Sequence, residues 1–163
     1  MRIGVVSDTH SRPLPAQMMK DFEDVDFIIH AGDFCDWDDY ENFVKLKTVK
    51  AVYGNMDSSK IRQRLKRKEI IPCENFQIGI FHGEGSGNHI LETVKEEFQK
   101  DKVDVVVFGH SHRALNETIN HVLYFNPGSP NDTIFAPYCS YGLLKINEKK
   151  ISGEIIKVKG KNG

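Results

Sequence analysis

At 163 residues the chain has the length of one domain, and 39% hydrophobic with 28% charged residues is the balance of an ordinary folded, water-exposed protein. A formal net charge of −1 excludes a global electrostatic pull toward nucleic acid or an anionic membrane. The start, Met1 to Val6, runs into Asp8 without the apolar length or cleavage site of a signal peptide, and no apolar stretch nears the roughly 20 residues that span a bilayer. The expected compartment is therefore the cytoplasm, and the expected organisation is a single domain over 1–163.

Taken in chain order, the apolar periodicity predicts alternating strands and helices. Ile3 to Ser7 reads as a buried strand, and 14–23 as a helix with proline near its first turn. Phe27 to Ala31 is a second strand, 37–46 a helix, Val49 to Tyr53 a third strand and 57–67 a further helix. Phe76 to Phe81 alternates as a half-buried strand does, and 88–100 reads as a helix with Asn88 as N-cap. Val103 to Phe108 is an apolar run broken only by Asp104. Strands then dominate: 122–125, 140–146 and 151–158, the last two joined by a hairpin turn at 147–150. This pattern predicts an α/β domain with an apolar sheet core covered by helices and antiparallel pairing near the C-terminus. The Lys-rich tail after Lys157 is expected to fray.

Three cysteines, Cys35, Cys73 and Cys139, are too few and too widely spaced for a disulfide framework or a structural zinc site. Cys35, two residues after Asp33, is read as a packing residue.

Five polar clusters stand at the ends of the apolar runs: Asp8-Thr9-His10, Gly32-Asp33, Gly54-Asn55, His82-Gly83 and Gly109-His110-Ser111-His112. Ligands of open α/β sheets gather at the carboxyl ends of strands, so a shared rim would bring these clusters together. They offer carboxylates, imidazoles and one carboxamide. Mixed nitrogen and oxygen donors suit Mn, Fe, Zn, Ni or Co over Ca or Mg. Two such ions about 3.5–4 Å apart can clamp a phosphoryl group and generate a hydroxide, so hydrolysis at phosphorus is the expected chemistry.

The series Asp-x-His, Gly-Asp, Gly-Asn-x-Asp, His-Gly and Gly-His-x-His, in this order from Asp8 onward, resembles the calcineurin-like metallophosphoesterase superfamily. The short length and Asn126-Pro127-Gly128-Ser129 resemble its small single-domain phosphodiesterase branch. The resemblance implies a four-layer α/β fold, a two-sheet β-sandwich flanked by helices. It implies that Asp8, His10 and His112 bind one ion, that Asp33 bridges, and that Asn55, His82 and His110 bind the other. Asn55 would also touch the phosphate, and Asp57 would act from behind the ligands, orienting a histidine. The implied catalytic group is Asn55, Asp57 and His82, and the implied reaction is attack of a metal-bridging hydroxide on a small phosphodiester. The implied cofactors are two divalent transition-metal ions, Mn²⁺ first and Ni²⁺, Fe²⁺, Co²⁺ or Zn²⁺ after it. Many members of the superfamily carry Gly-Asn-His-Asp, whose histidine protonates the leaving group; here Met56 stands in that place and cannot transfer a proton. General acid catalysis is worth about 10²–10⁴-fold, so good leaving groups are expected to be preferred.

Other polar residues read more plainly. His30 and His121 are expected to be structural or solvated, whereas His89, after the glycine-rich 83–88 loop, is a candidate substrate contact. That loop lacks the last glycine of Gly-x-Gly-x-x-Gly and reads as a flexible connection. The basic run Lys60 to Lys68 reads as the solvated face of a helix, and the acidic run Asp36 to Glu41 as a helix N-terminal turn. Two rival functions follow from the same residues. One is a non-catalytic metal-binding scaffold, as the retromer subunit of the superfamily is. The other is a small nuclease, which the net charge does not favour. Self-association stays open.

Overall fold

The computed structural model describes residues 1–160. The first strand, β1 (Arg2–Val6), sits at the centre of a mixed sheet because its residues are apolar on both faces. The chain continues through α1 (Ala16–Glu23), β2 (Phe27–His30), α2 (Trp37–Leu46), β3 (Val49–Ala51) and α3 (Ser59–Arg64). It then runs through β4 (Lys68–Cys73), β5 (Phe76–Phe81), α4 (Ile90–Glu97), β6 (Val105–Val107), β7 (Leu115–Ile119), β8 (Val122–Asn126), β9 (Ser140–Asn147) and β10 (Lys150–Lys157). One sheet has the order β10-β9-β1-β2-β3, the other β4-β5-β6-β8-β7. In the first, β1, β2 and β3 are parallel and β9 pairs antiparallel to β1. In the second, β5, β6 and β8 are parallel, with antiparallel strands at both edges.

Side-chain alternation builds four layers. Ile3, Val5, Ile29, Ile80, Val105 and Val107 point between the sheets into one apolar layer. Val6 and Ile28 point the other way, onto Met18, Phe22 and Phe43 of α1 and α2. Val106 and Phe81 face Val94 and Phe98 at α4. Each fully buried aliphatic side chain contributes about 1.5–3 kcal/mol, and because both faces are buried the central strands read as unbroken apolar runs.

Two strands escape the sequence pattern. In β4, Lys68, Glu69 and Pro72 break the alternation, and β4 is an edge strand, where proline is tolerated. In β7, Asn116, Glu117 and Thr118 are all exposed, also at an edge. The helix expected over 57–67 is shorter. Asp57 is held in a loop by backbone amides, and after Arg64 the chain extends to bridge Lys66 with Val52. The helix expected over 88–100 begins with a 3-10 turn at Gly87–His89, so His89 and not Asn88 precedes α4. At the 147–150 turn, Asn147 Oδ1 accepts the amides of Lys149 and Lys150, as a hairpin requires. Beyond Lys157, the Val158 and Lys159 amides donate to Cys139 O and Gln17 Oε1; residues 161–163 lie outside the described residues. Among the described residues no helix is long and apolar enough to cross a membrane. All three cysteines are free.

Candidate metal centre

The parallel strands of both sheets end at one rim. From β1 the chain turns into Asp8 and His10, from β2 into Asp33, from β3 into Asn55, from β5 into His82 and from β6 into His110 and His112. The loops are stitched by backbone bonds: Asp8 N–H donates to Gly32 O, His10 N–H to Asp33 O and Gly109 N–H to His82 O, at 2.9–3.0 Å. Asp8, His10, Asp33, His110 and His112 all have left-handed backbone, with φ between 50° and 68°. Such non-glycine conformations cost about 1–3 kcal/mol each and persist where the surrounding structure imposes them, as at functional sites. Close approach also restricts what can stand beside the ligands. A Cβ built on Gly54 would overlap Asp33 Oδ1, and one built on Gly109 would overlap Ser7 Oγ and lie 2.6 Å from Asp8 Oδ2.

The side chains converge. His112 Nε2 lies 3.3 Å from Asp8 Oδ1 and 3.2 Å from His10 Nε2. His82 Nε2 lies 3.3 Å from Asp33 Oδ2 and 3.9 Å from Asp8 Oδ1. Asn55 Oδ1 sits 3.1 Å from His82 Nε2 and 3.0 Å from His110 Nδ1. Two groups have the compactness of an ion site, Asp8 with His10 and His112, and Asp8 with Asp33 and His82. Asp8 belongs to both groups, and Asp33, a member of the second, also comes within 3.9 Å of His10 Nε2 of the first. All seven side chains singled out as ligands from the sequence meet here.

The donor pattern fits divalent cations. His82 Nδ1–H donates outward to Ala31 O, His112 Nδ1–H to Asp132 Oδ2 and His110 Nε2–H to Gly85 O. Each ring thus turns its other nitrogen inward, where the acceptors are. Asp8 Oδ1 is fully buried, is ringed by the three inward Nε2 atoms of His10, His82 and His112, and has no hydrogen-bond partner. A buried carboxylate oxygen without a partner is costly unless positive charge compensates it.

The proton affinities report the same demand. Burial raises the Asp8 carboxyl, but the His112 ring 3.3 Å away and the charges of His82 and His112 outweigh it and leave it at about 2. Burial lowers His82, yet its contact with Asp33 and the Asp8 charge lift it to about 9. His112 also rises to about 9, with Asp8 and Asp132 overcoming burial. At His10 burial prevails over Asp8 and Asp33, and the ring is pushed down.

Several residues around the cluster have roles that their spacing does not announce. Asp57 contacts no ligand histidine by hydrogen bond. Its carboxylate accepts the amides of Asp33, Cys35 and Gly54 at 2.7–3.0 Å, and so shapes the Asp33 loop. Asp132, not singled out from the sequence, holds His112; the Asn126-Pro127-Gly128-Ser129 segment just before it was the one available signal. Asn126 Nδ2 donates to Gly109 O, and Ser129 Oγ donates to Asp8 O. Cys35 Sγ lies 3.4 Å from His10 Nδ1, beside the cluster. His30 is buried and structural: Gly32 N–H donates to its Nδ1, its Nε2 lies 3.1 Å from Thr9 Oγ1, and Thr9 donates to Asp39. His121 occupies the tight β7–β8 turn with Asn120, both at positive φ. Met56 is exposed, and its amide donates to Asp33 Oδ1. His89 lies exposed in the 3-10 turn. A cavity of about 310 Å³ beside His110 is lined by Asn88, Ser111 and Arg113 but not by His89. A larger groove of about 790 Å³ starts at Ser11 and Arg12 and runs to Trp37 and Lys60. The basic run is occupied internally: Arg62 donates to Asn55 O and Asp57 O, and Arg67 pairs with Glu84 and Glu97.

Comparison with known proteins bears on this centre. Residues 1–149 match the family described as the calcineurin-like phosphoesterase superfamily domain. A probable metallophosphoesterase of Methanocaldococcus jannaschii is 34% identical over 97% of this chain and 82% of its own length. A solved structure described as a novel archaeal phosphodiesterase superposes with a TM-score of 0.76 at 26% identity, covering 96% of this chain and all of that one. Vps29 of Entamoeba histolytica, solved as a complex with zinc, shares the fold with a TM-score of 0.75 at 22% identity, over 98% of this chain and all of its own.

Proposed function

This chain belongs to the calcineurin-like phosphoesterase superfamily, and on that premise we propose that it is a dinuclear-metal-dependent phosphodiesterase. We read 1–163 as one metallophosphoesterase domain, because each sheet carries only part of the rim. The observation that carries the reading is the partnerless, fully buried Asp8 Oδ1 within reach of three imidazole nitrogens. Asp8, His10 and His112 would hold one ion. Asn55, His82 and His110 would hold the other, with Asp33 between them. The ions, Mn²⁺ or another divalent transition metal, would supply Lewis acidity and an activated water for in-line attack at phosphorus.

The chain's own residues do the rest. The outward bonds of His82, His110 and His112 fix their rings. The Asn55 carboxamide, at the edge of the cluster, is placed to donate to a phosphoryl oxygen. Asp57 keeps the Asp33 loop in its strained shape. The cavity at His110 and the groove beginning at Ser11 flank the cluster and offer room for the two substituents of a small diester. With Met56 exposed and unable to give a proton, leaving groups that depart as stable anions are favoured.

The test is hydrolysis of bis(p-nitrophenyl) phosphate by Mn²⁺-loaded protein. Asp33→Ala and His82→Ala are expected to abolish it; full activity in those variants after chelation ends the proposal. A metal-binding scaffold without hydrolysis is the second reading, drawn from the likeness to Vps29. Bound metal with no turnover of any diester would favour it.

A further inference from the structure

The seven ligand side chains are not equally well anchored. His82 follows a central strand, is 2% exposed and is pinned by Ala31 O. His112 lies beyond β6 on a loop with φ of 55°, and its side chain is 18% exposed. Outside the cluster, its ring is held by Asp132.

Asp132 is 1% exposed and divides its two oxygens. Oδ2 accepts from His112 Nδ1 at 2.5 Å, while Oδ1 accepts the amides of Ile134 and Phe135 at 2.9 and 3.0 Å. Its own amide donates to Ser129 Oγ, which donates to the backbone oxygen of Asp8. The neighbouring Asn131 Nδ2 donates to Thr9 O. Asp132 is therefore tied through its amide to the Asp8 loop, and its carboxylate joins His112 to the turn at Ile134 and Phe135. The turn it organises carries two large apolar side chains in the open, Ile134 at 73% and Phe135 at 75% exposure.

We infer that Asp132 is a positioning residue. It sets the ring of His112 so that Nε2 faces the centre, and it ties that ligand to the exposed Ile134–Phe135 turn. The inference rests on the metal reading above. Coupling through one carboxylate is reciprocal: an ion that fixes His112 also fixes the turn, and whatever holds the turn favours the ion.

Three measurements test it. Calorimetric Mn²⁺ binding to metal-free wild type and Asp132→Asn is expected to show a loss of about 10–100-fold in the variant, the usual cost of losing such a partner. Amide exchange at Ile134 and Phe135 is expected to slow on metal loading in the wild type and to become metal-independent in Asp132→Asn. The third needs no variant: in Zn²⁺-loaded wild type, the ring nitrogen shifts of His112 should report a protonated Nδ1. Wild-type Mn²⁺ affinity in folded Asp132→Asn, metal-dependent exchange surviving in it, or a deprotonated Nδ1 would each overturn the role of Asp132 while leaving the metal centre standing. Absence of any metal binding by the wild type would overturn the metal reading, and this inference with it.

Discussion

The two sheets bring different chemistry to one rim. The sheet around β1 supplies both carboxylates, the carboxamide and one imidazole: Asp8, Asp33, Asn55 and His10. The sheet around β6 supplies imidazoles only: His82, His110 and His112. Each ion group takes atoms from both sheets, so the centre is a property of the seam between them. The seam is held by the apolar layer of Ile29, Ile80 and Val107 and by bonds that cross it, such as His82 Nδ1–H to Ala31 O and His110 N–H to Asp8 Oδ2. The outer helices cover the far face of each sheet.

The sharpest way to break this comparison is to push the rims apart. Gly109→Ala places a methyl against Ser7 Oγ and Asp8 Oδ2. It is expected to cost about 1–3 kcal/mol in a urea titration and to abolish stoichiometric Mn²⁺ binding. Normal metal content in this variant would refute the seam account.

A paired substitution on β2 has the next-largest expected effect on metal binding. Ile29 points between the sheets and Ile28 points outward, and both are fully buried. Each change to alanine is expected to cost about 2–5 kcal/mol. Only Ile29→Ala is expected to weaken Mn²⁺ affinity, because only its cavity lets the sheets shift. Equal affinity losses in the two variants would place the control of the centre elsewhere.

A smaller effect comes from protons. His82 and His112 hold theirs more tightly in the metal-free fold, at about 9, than at the ordinary value of 6.5. Their contribution to metal-free stability is complete below pH 6.5 and is lost as pH rises through about 9. An ion must displace those protons. The rise in Tm on adding Mn²⁺ is therefore expected to grow across this window, with protons released on binding. A thermal-shift series that is flat or falling with pH would contradict the assignment.

The smallest expected effect comes from a surface ion pair. Arg67 pairs with Glu84 and Glu97 at the surface. Arg67→Gln should change stability by less than about 1 kcal/mol and leave metal binding untouched.

Much of this was readable along the chain. Parallel strands buried on both faces appear as unbroken runs such as Val105 to Val107, and their abrupt ends at Gly-Asp or Gly-His mark the rim. The candidate ligand types and their order are visible along the chain, and the resemblance to the superfamily marks Met56 as standing where many members carry a proton donor. Edge strands do not announce themselves in this way. In β7 the middle residues face water, and in β4 proline and charge interrupt the period, so pairing with β8 and β5 is what makes them strands.

The contacts that finish the centre are non-local. Asp132 reaches His112 across 20 residues, Asp57 reaches the Asp33 amide across 24, and Ser129 reaches Asp8 across 121. No periodicity encodes such distances. The left-handed backbone of Asp8, Asp33 and His112 uses residue types that tolerate it better than most, but bonds between loops decide that these positions adopt it. Local physics, burial and turn chemistry, settles which residues can serve as ligands. Only the packing of one sheet on the other decides that their atoms meet, because a site split across two layers exists only at the separation the core between them sets.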